Sequence, residues 1–90
     1  MNSSTKKSLT SDQIRAARAL IRWSAEDLAR SSSVGLTTIR RAELTIEETS
    51  LTAANNLAIR NALESAGVEF IDENGGGPGV RFQKPAKQKR

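Results

Sequence analysis

Residues 23–43 read WSAEDLARSSSVGLTTIRRAE, the pattern of two short helices joined by a tight turn. Ser24 stands three residues before Asp27. A serine hydroxyl at an N-cap accepts from a free amide of the first turn, and a carboxylate there favours the positive end of the helix dipole. Leu28 and Ala29 supply a small apolar face. The run Ser31-Ser32-Ser33 is expected to stop this helix, because serine side chains compete for backbone hydrogen bonds. Val34 then plugs the turn, and Gly35 serves as the next N-cap. The second helix is predicted over 36–43, with Ile39 and Ala42 inward (i, i+3). Leu36, Thr37, Arg40 and Arg41 are left outward or on the flanks. A small helix braced across a turn, presenting hydroxyls and arginines, suits insertion into a DNA major groove.

Upstream, Thr10 and Gln13 fit a capping box that opens a first helix. Ile14, Ala17 and Ile21 recur at i, i+3 and i+7, with Leu20 widening the stripe, while Arg15, Arg18 and Arg22 are expected to face elsewhere. Trp23 is expected to close this helix and pack over its junction with the next. Stacking on a base is the alternative, and a lone Trp between two amphipathic helices is more often core. Downstream, residues 44–50 (LTIEETS) link to a long helix from Leu51 or Thr52 to Ala66. Leu51, Ala54, Ala58 and Ala62 form one row of it, and Ile59, Leu63 and Ala66 the next. Asn55, Asn56, Arg60, Asn61 and Glu64 sit mostly off that face. Gly67 is a C′ stop. VEFID and GVRF alternate as strands, predicted at 68–72 and 80–82, around a Gly/Pro loop. The glycine cluster lacks the Lys-Ser/Thr that would make it a phosphate loop. A pair of strands is marginal alone, so it must pack on the long helix or pair with another subunit.

The expected fold is therefore mainly α, a compact helix-turn-helix bundle of four to five helices with a short C-terminal β-hairpin. Residues 1–8 are expected as a disordered arm, 9–82 as the domain, and 83–90 as a disordered basic tail. For the arm, a solvated terminus is the plain reading and a DNA-contacting arm the alternative.

Ninety residues suit one thinly cored domain. Trp23, Phe70 and Phe82 are its three aromatics, and each is expected to anchor something, since one buried large side chain is worth roughly 2–3 kcal/mol. The absence of cysteine and histidine removes disulfides, thiolate chemistry and the usual transition-metal ligands. No cofactor is expected. Nothing resembles a signal peptide or a membrane span, so a cytoplasmic location is expected, on the nucleoid when bound to DNA. The formal charge is +4. Its distribution says more: seven of the 14 cations lie at the two ends, in residues 1–7 and 81–90, and the seven within residues 8–80 face all 10 acids, leaving that region at −3. Net charge alone therefore makes no case for DNA, and the argument rests on where the arginines sit.

Trp23, Ser24, Leu28, Ala29, Val34, Thr38, Ile39 and Glu43 fall in the register of one known pattern, Trp/Leu-Ser-Gln-x-x-Leu-Ala, a Gly-Val-Ser turn, then x-x-Thr-Ile-x-x-x-Glu. The segment resembles the helix-turn-helix of the XRE (phage repressor and Cro-like) transcriptional regulators, most of all their short single-domain alphaproteobacterial members. The resemblance spreads to about Gly79, and it implies a repressor-like DNA-binding domain. Three positions depart from it. Ala25 replaces a glutamine that commonly touches a phosphate, Ser33 replaces the turn glycine, and Gly35 replaces the N-cap serine of the recognition helix. A left-handed backbone at Ser33 would carry modest strain.

By position in the family pattern, Leu36, Thr37 and Arg41 fall where base-reading side chains sit. Arg41 can pair with guanine through two hydrogen bonds, Thr37 can meet a base edge or a thymine methyl, and Leu36 can make only apolar contact. Arg40, the amides near Gly35, and the Ser24 and Thr38 hydroxyls are candidates for phosphates. The plain alternatives are a half-buried Thr38 and a solvated Arg40. Glu47 and Glu48 would oppose phosphates if their loop lay near the DNA backbone.

The expected function is a sequence-specific DNA-binding transcriptional regulator, a homodimer on double-stranded DNA with helix 36–43 in the major groove. The alternative is a helix-turn-helix scaffold used for protein–protein contact, anti-activator or antitoxin-like, with a regulatory protein as partner. Ala25 and the acidic folded region motivate it. No nucleophile–base set, metal cluster or cofactor loop points to an enzyme.

Overall fold

The computed structural model describes residues 8–46, 51–73 and 75–83. Four helices and a hairpin follow in order: α1 (Ser11–Ile21), α2 (Ala25–Ser32), α3 (Leu36–Leu44), α4 (Ala53–Ser65), β1 (Val68–Ile71) and β2 (Gly79–Phe82). This is the mainly helical bundle with a C-terminal hairpin that the sequence predicts.

Three of these helices begin on a side-chain cap. Thr10 and Gln13 close a reciprocal capping box on α1, Ser24 and Asp27 do the same on α2, and the Thr52 hydroxyl accepts from the Asn55 amide on α4. Each cap satisfies amide donors that a helix start otherwise leaves orphaned. Two of the helix ends are left-handed at a residue other than glycine: Arg22 (φ 59°) caps α1 and Ser33 (φ 62°) caps α2. The strain expected at Ser33 is present.

One core gathers the inner faces. Ile14 and Ala17 of α1, Leu28 of α2, Ile39 of α3, Ile59 and Leu63 of α4 and Val68 of β1 are buried together with Leu9 and Val34. The two strands pair antiparallel, Val68 with Phe82 and Ile71 with Gly79 at the ends. They lie on α4, as the sequence reading allows, and on α1 as well. Gln13 fixes the hairpin to α1. Its side-chain amide donates to the carbonyls of Ile71 (3.3 Å) and Gly79 (3.1 Å), the last pair before the loop.

Several boundaries and faces differ from the sequence reading, each for a local reason. Helix α2 runs through Ser31 and Ser32, because the Ser32 hydroxyl donates to the Leu28 carbonyl one turn back instead of breaking the helix. Helix α3 takes in Leu44. Helix α1 closes at Ile21, two residues before Trp23, which as expected packs half-buried against the core over the junction, beside Ser31 and Ser32 of α2 and Ala58, Asn61 and Ala62 of α4. Ala54, placed on the apolar face of α4, is exposed, whereas Arg60, placed off it, is 3% exposed. The Arg60 guanidinium lies over the Phe70 ring, 5.0 Å from its centroid, and reaches Glu64 and Asp72. The strands are 68–71 and 79–82, not 68–72 and 80–82. Phe82 anchors little, at 58% exposure. Ser8, assigned to the arm, is half-buried. Gln83, assigned to the tail, donates from its backbone to the Gly67 carbonyl and from its side chain to the carbonyls of Glu64 and Val68. The expectations for residues 1–7, for Glu47 and Glu48, and for residues 84–90 lie outside the described residues.

Candidate nucleic-acid interface

Helix α3 divides cleanly into two sides. Ile39, Ala42 and Glu43 are buried, and Thr37, Arg40, Arg41 and Leu44 are exposed. The 3.6-residue period puts 37, 40, 41 and 44 on one stripe, so two arginines, a hydroxyl and a leucine share the outer face. Leu36 is half-buried and packs against the core, which leaves part of its side chain for an outside contact. Thr38 is half-buried too and lines a cleft with Arg41, Leu51, Thr52 and Asn55, between α3 and the start of α4. Structure thus brings Thr37 and Arg41 together with Arg40, and sets Leu36 and Thr38 at the helix shoulder.

The start of α3 is chemically unlike the others. Gly35 is its N-cap and supplies no side-chain hydrogen bond. The first-turn amides are consequently available to an outside acceptor such as a phosphate oxygen. Ser24, at the start of α2, has its oxygen occupied by the Asp27 amide at 3.0 Å, but a hydroxyl also carries a proton it can donate. The Asp27 carboxyl is held below its ordinary value chiefly by the Ser24 backbone amide, with Arg30 adding to the effect. Ala25, where the resemblance expects a glutamine, is buried and belongs to the core.

The arginines are not equivalent. Eight fall within the described residues, and six of these carry an ion pair: Arg15, Arg18, Arg30, Arg40, Arg60 and Arg81. Arg40 pairs with Glu26 of α2 at 3.1 Å, both side chains being largely exposed. Such a pair is worth about 0–1 kcal/mol and exchanges readily for a phosphate. Arg22 and Arg41 are the two described arginines with no ion pair.

Sequence reasoning missed what holds α3 in place. Arg18, expected to face away, grips Glu43 with two parallel hydrogen bonds, Nε to Oε2 at 2.7 Å and Nη2 to Oε1 at 2.8 Å, and its Nη1 donates to the Trp23 carbonyl at 2.9 Å. The hydrogen bond to Glu43 raises the pKa of the Arg18 guanidinium further. Arg15, also expected to face away, donates to the Glu43 carbonyl and pairs with Asp12. The signal was available: Glu43 follows Ile39 and Ala42 at i+4 and i+1, on the inner stripe, and a charge there requires a partner. Among the described residues, acidic side chains do not gather in groups able to hold a metal ion.

Comparison with protein-family models and with curated proteins returns no match to this chain.

Proposed function

We propose that the chain is a sequence-specific DNA-binding transcriptional regulator that acts as a homodimer, with α3 of each copy in the major groove. The observation that carries this reading is Arg41: an exposed guanidinium on the outer stripe of α3, beside Thr37, with no ion pair among the described residues. An arginine so placed has its full set of donors to give to a guanine edge. Thr37 meets the neighbouring base, and Leu36 touches a thymine methyl with the part of its side chain that is open. The uncapped amides after Gly35, the Ser24 and Thr38 hydroxyls, and Arg40 released from Glu26 take phosphates and set the register. Two copies read half-sites about 34 Å apart, one helical turn. Binding near a promoter then changes transcription from it, in the cytoplasm, with repression following where the bound dimer blocks polymerase. The XRE-type resemblance points the same way.

The test is selection from a pool of random duplexes at stepped salt, with the retained fraction sequenced. The expected result is a motif of two half-sites one turn apart. Arg41→Ala should weaken binding about 10- to 100-fold at that motif and relax the base it faces. Retention that vanishes with modest salt and yields no motif would overturn the reading.

A second reading is favoured by Leu44 and Ile46, 81% and 95% exposed at the end of α3. Two large aliphatics this open and two residues apart offer an apolar contact to a protein partner. In that reading the α3 end docks a regulatory protein, Leu44→Ser with Ile46→Ser abolishes its capture, and Arg41→Ala changes nothing.

A further inference from the structure

We infer that Arg22 is a phosphate anchor of the same surface, placed beside the start of α2; the inference rests on the DNA-binding reading above. Arg22 is exposed and, like Arg41, has no ion pair among the described residues. Its backbone is left-handed, at φ 59° and ψ 41°. That conformation crowds a Cβ against the backbone, and glycine is the residue that adopts it freely. The helix cap itself needs no side chain at this position: the Arg22 amide donates to the Ala19 carbonyl and the Trp23 amide to the Arg18 carbonyl. A large charged residue thus occupies a position where glycine would be less strained, and its guanidinium makes no ion pair or hydrogen bond among the described residues. Strain retained without an internal return points outward.

The position fits. Arg18 bridges the Trp23 carbonyl and the Glu43 carboxylate, so the residue next to Arg22 is held one guanidinium away from α3. Two residues past Arg22, Ser24 opens α2, and Glu26 in the first turn pairs with Arg40 on the outer stripe of α3. Arg41, in contrast, shares a cleft with Thr52 and Asn55 of α4. The α1–α2 junction and Arg41 therefore lie on opposite flanks of α3. Phosphates line both edges of a groove, so with Arg41 turned to the bases on one flank, Arg22 takes a phosphate on the other.

Ser33 is the built-in control. It has the same backbone strain, at φ 62°, and no charge. The experiment measures DNA affinity of the full chain against salt, on the duplex recovered from the pool, for wild type, Arg22→Gly, Arg22→Lys and Ser33→Gly, with a melting curve for each. Arg22→Gly should melt at the same temperature or higher, bind about tenfold more weakly at low salt, keep the same motif, and lose about 0.9 from the slope of log affinity against log salt. Arg22→Lys should restore the slope. Ser33→Gly should raise the melting temperature and leave the slope alone. An Arg22→Gly protein that binds with unchanged affinity and slope overturns the anchor and leaves the DNA-binding reading standing. Failure of the wild type to select a motif overturns both.

Discussion

Arg18 and Arg60 are both turned into the molecule, one between α1 and α3, the other between α4 and β1, yet only the first is fully satisfied. Arg18 meets Glu43 with two short parallel bonds and Trp23 with a third. Arg60 reaches Glu64 at 3.5 Å and Asp72 at 3.3 Å, rests on Phe70, and leaves its buried Nε without a partner. The difference teaches where this fold uses directional contacts. Helix α3 carries the candidate interface, and a forked pair fixes both its distance from α1 and its rotation. The hairpin carries none of it: hydrogen bonds from Gln13 and Gln83 tie its backbone to α1 and α4, and its charged contact with Arg60 is left to burial, stacking and loose ion pairs.

The same substitution at the two sites breaks the symmetry most sharply. Arg18→Met leaves the Glu43 carboxylate buried without its cation, and removing one member of a buried pair typically costs about 3–5 kcal/mol. Arg18 is itself about a fifth exposed, at 22% for the side chain, so the low end, about 3 kcal/mol, is expected in urea unfolding. Arg60→Met should fall within about 1 kcal/mol of wild type. It gives up the cation–π contact and two long ion pairs, but it also removes an unsatisfied buried donor and keeps an apolar stem over Phe70. An Arg60→Met protein as damaged as Arg18→Met would mean that the loose pairs matter more than their lengths suggest.

The smallest effect is in acid and involves exposed groups. Asp27, in the cap of α2, and Glu69, across the hairpin from Arg81, both titrate below their ordinary values of 3.8 and 4.5. The Ser24 amide is the main cause for the first, and the Arg81 guanidinium for the second. Carboxyls whose folded pKa is lowered stabilise fully above the unfolded values, and that contribution is lost as pH falls through and below them. The melting temperature should therefore decline gently below about pH 4, and Asp27→Asn should flatten part of that decline while slightly lowering the value at neutral pH. Melting curves from pH 7 to pH 2 measure it.

The helical part of the fold was legible because its signals are local. Thr10 with Gln13 and Ser24 with Asp27 are caps that can be read from spacing alone, and Ile14, Ala17, Ile39, Ile59 and Leu63 repeat at helical intervals. The outer stripe of α3 was legible for the same reason. What stayed hidden depends on partners far along the chain. Arg18 and Arg60 look like solvated positions until Glu43 and Asp72 arrive opposite them. Ala54 looks like core by period, but none of the described elements covers that side of α4. Arg22 gives no sign in sequence, because its significance lies in a backbone angle.

Gln13 also ties the timing of folding to the timing of synthesis. The carbonyls that receive its amide protons, on Ile71 and Gly79, lie 58 and 66 residues downstream. At about 5–20 residues per second, a ribosome adds Gly79 about 3–13 seconds after Gln13. Throughout that interval α1 lacks the hairpin, and Ile14 and Ala17 wait for Val68 and Phe70 to complete the core they share. The opening helix of the nascent chain is thus an unfinished surface for seconds, open to any chaperone that binds apolar segments near the tunnel exit, and folding closes only as the hairpin emerges.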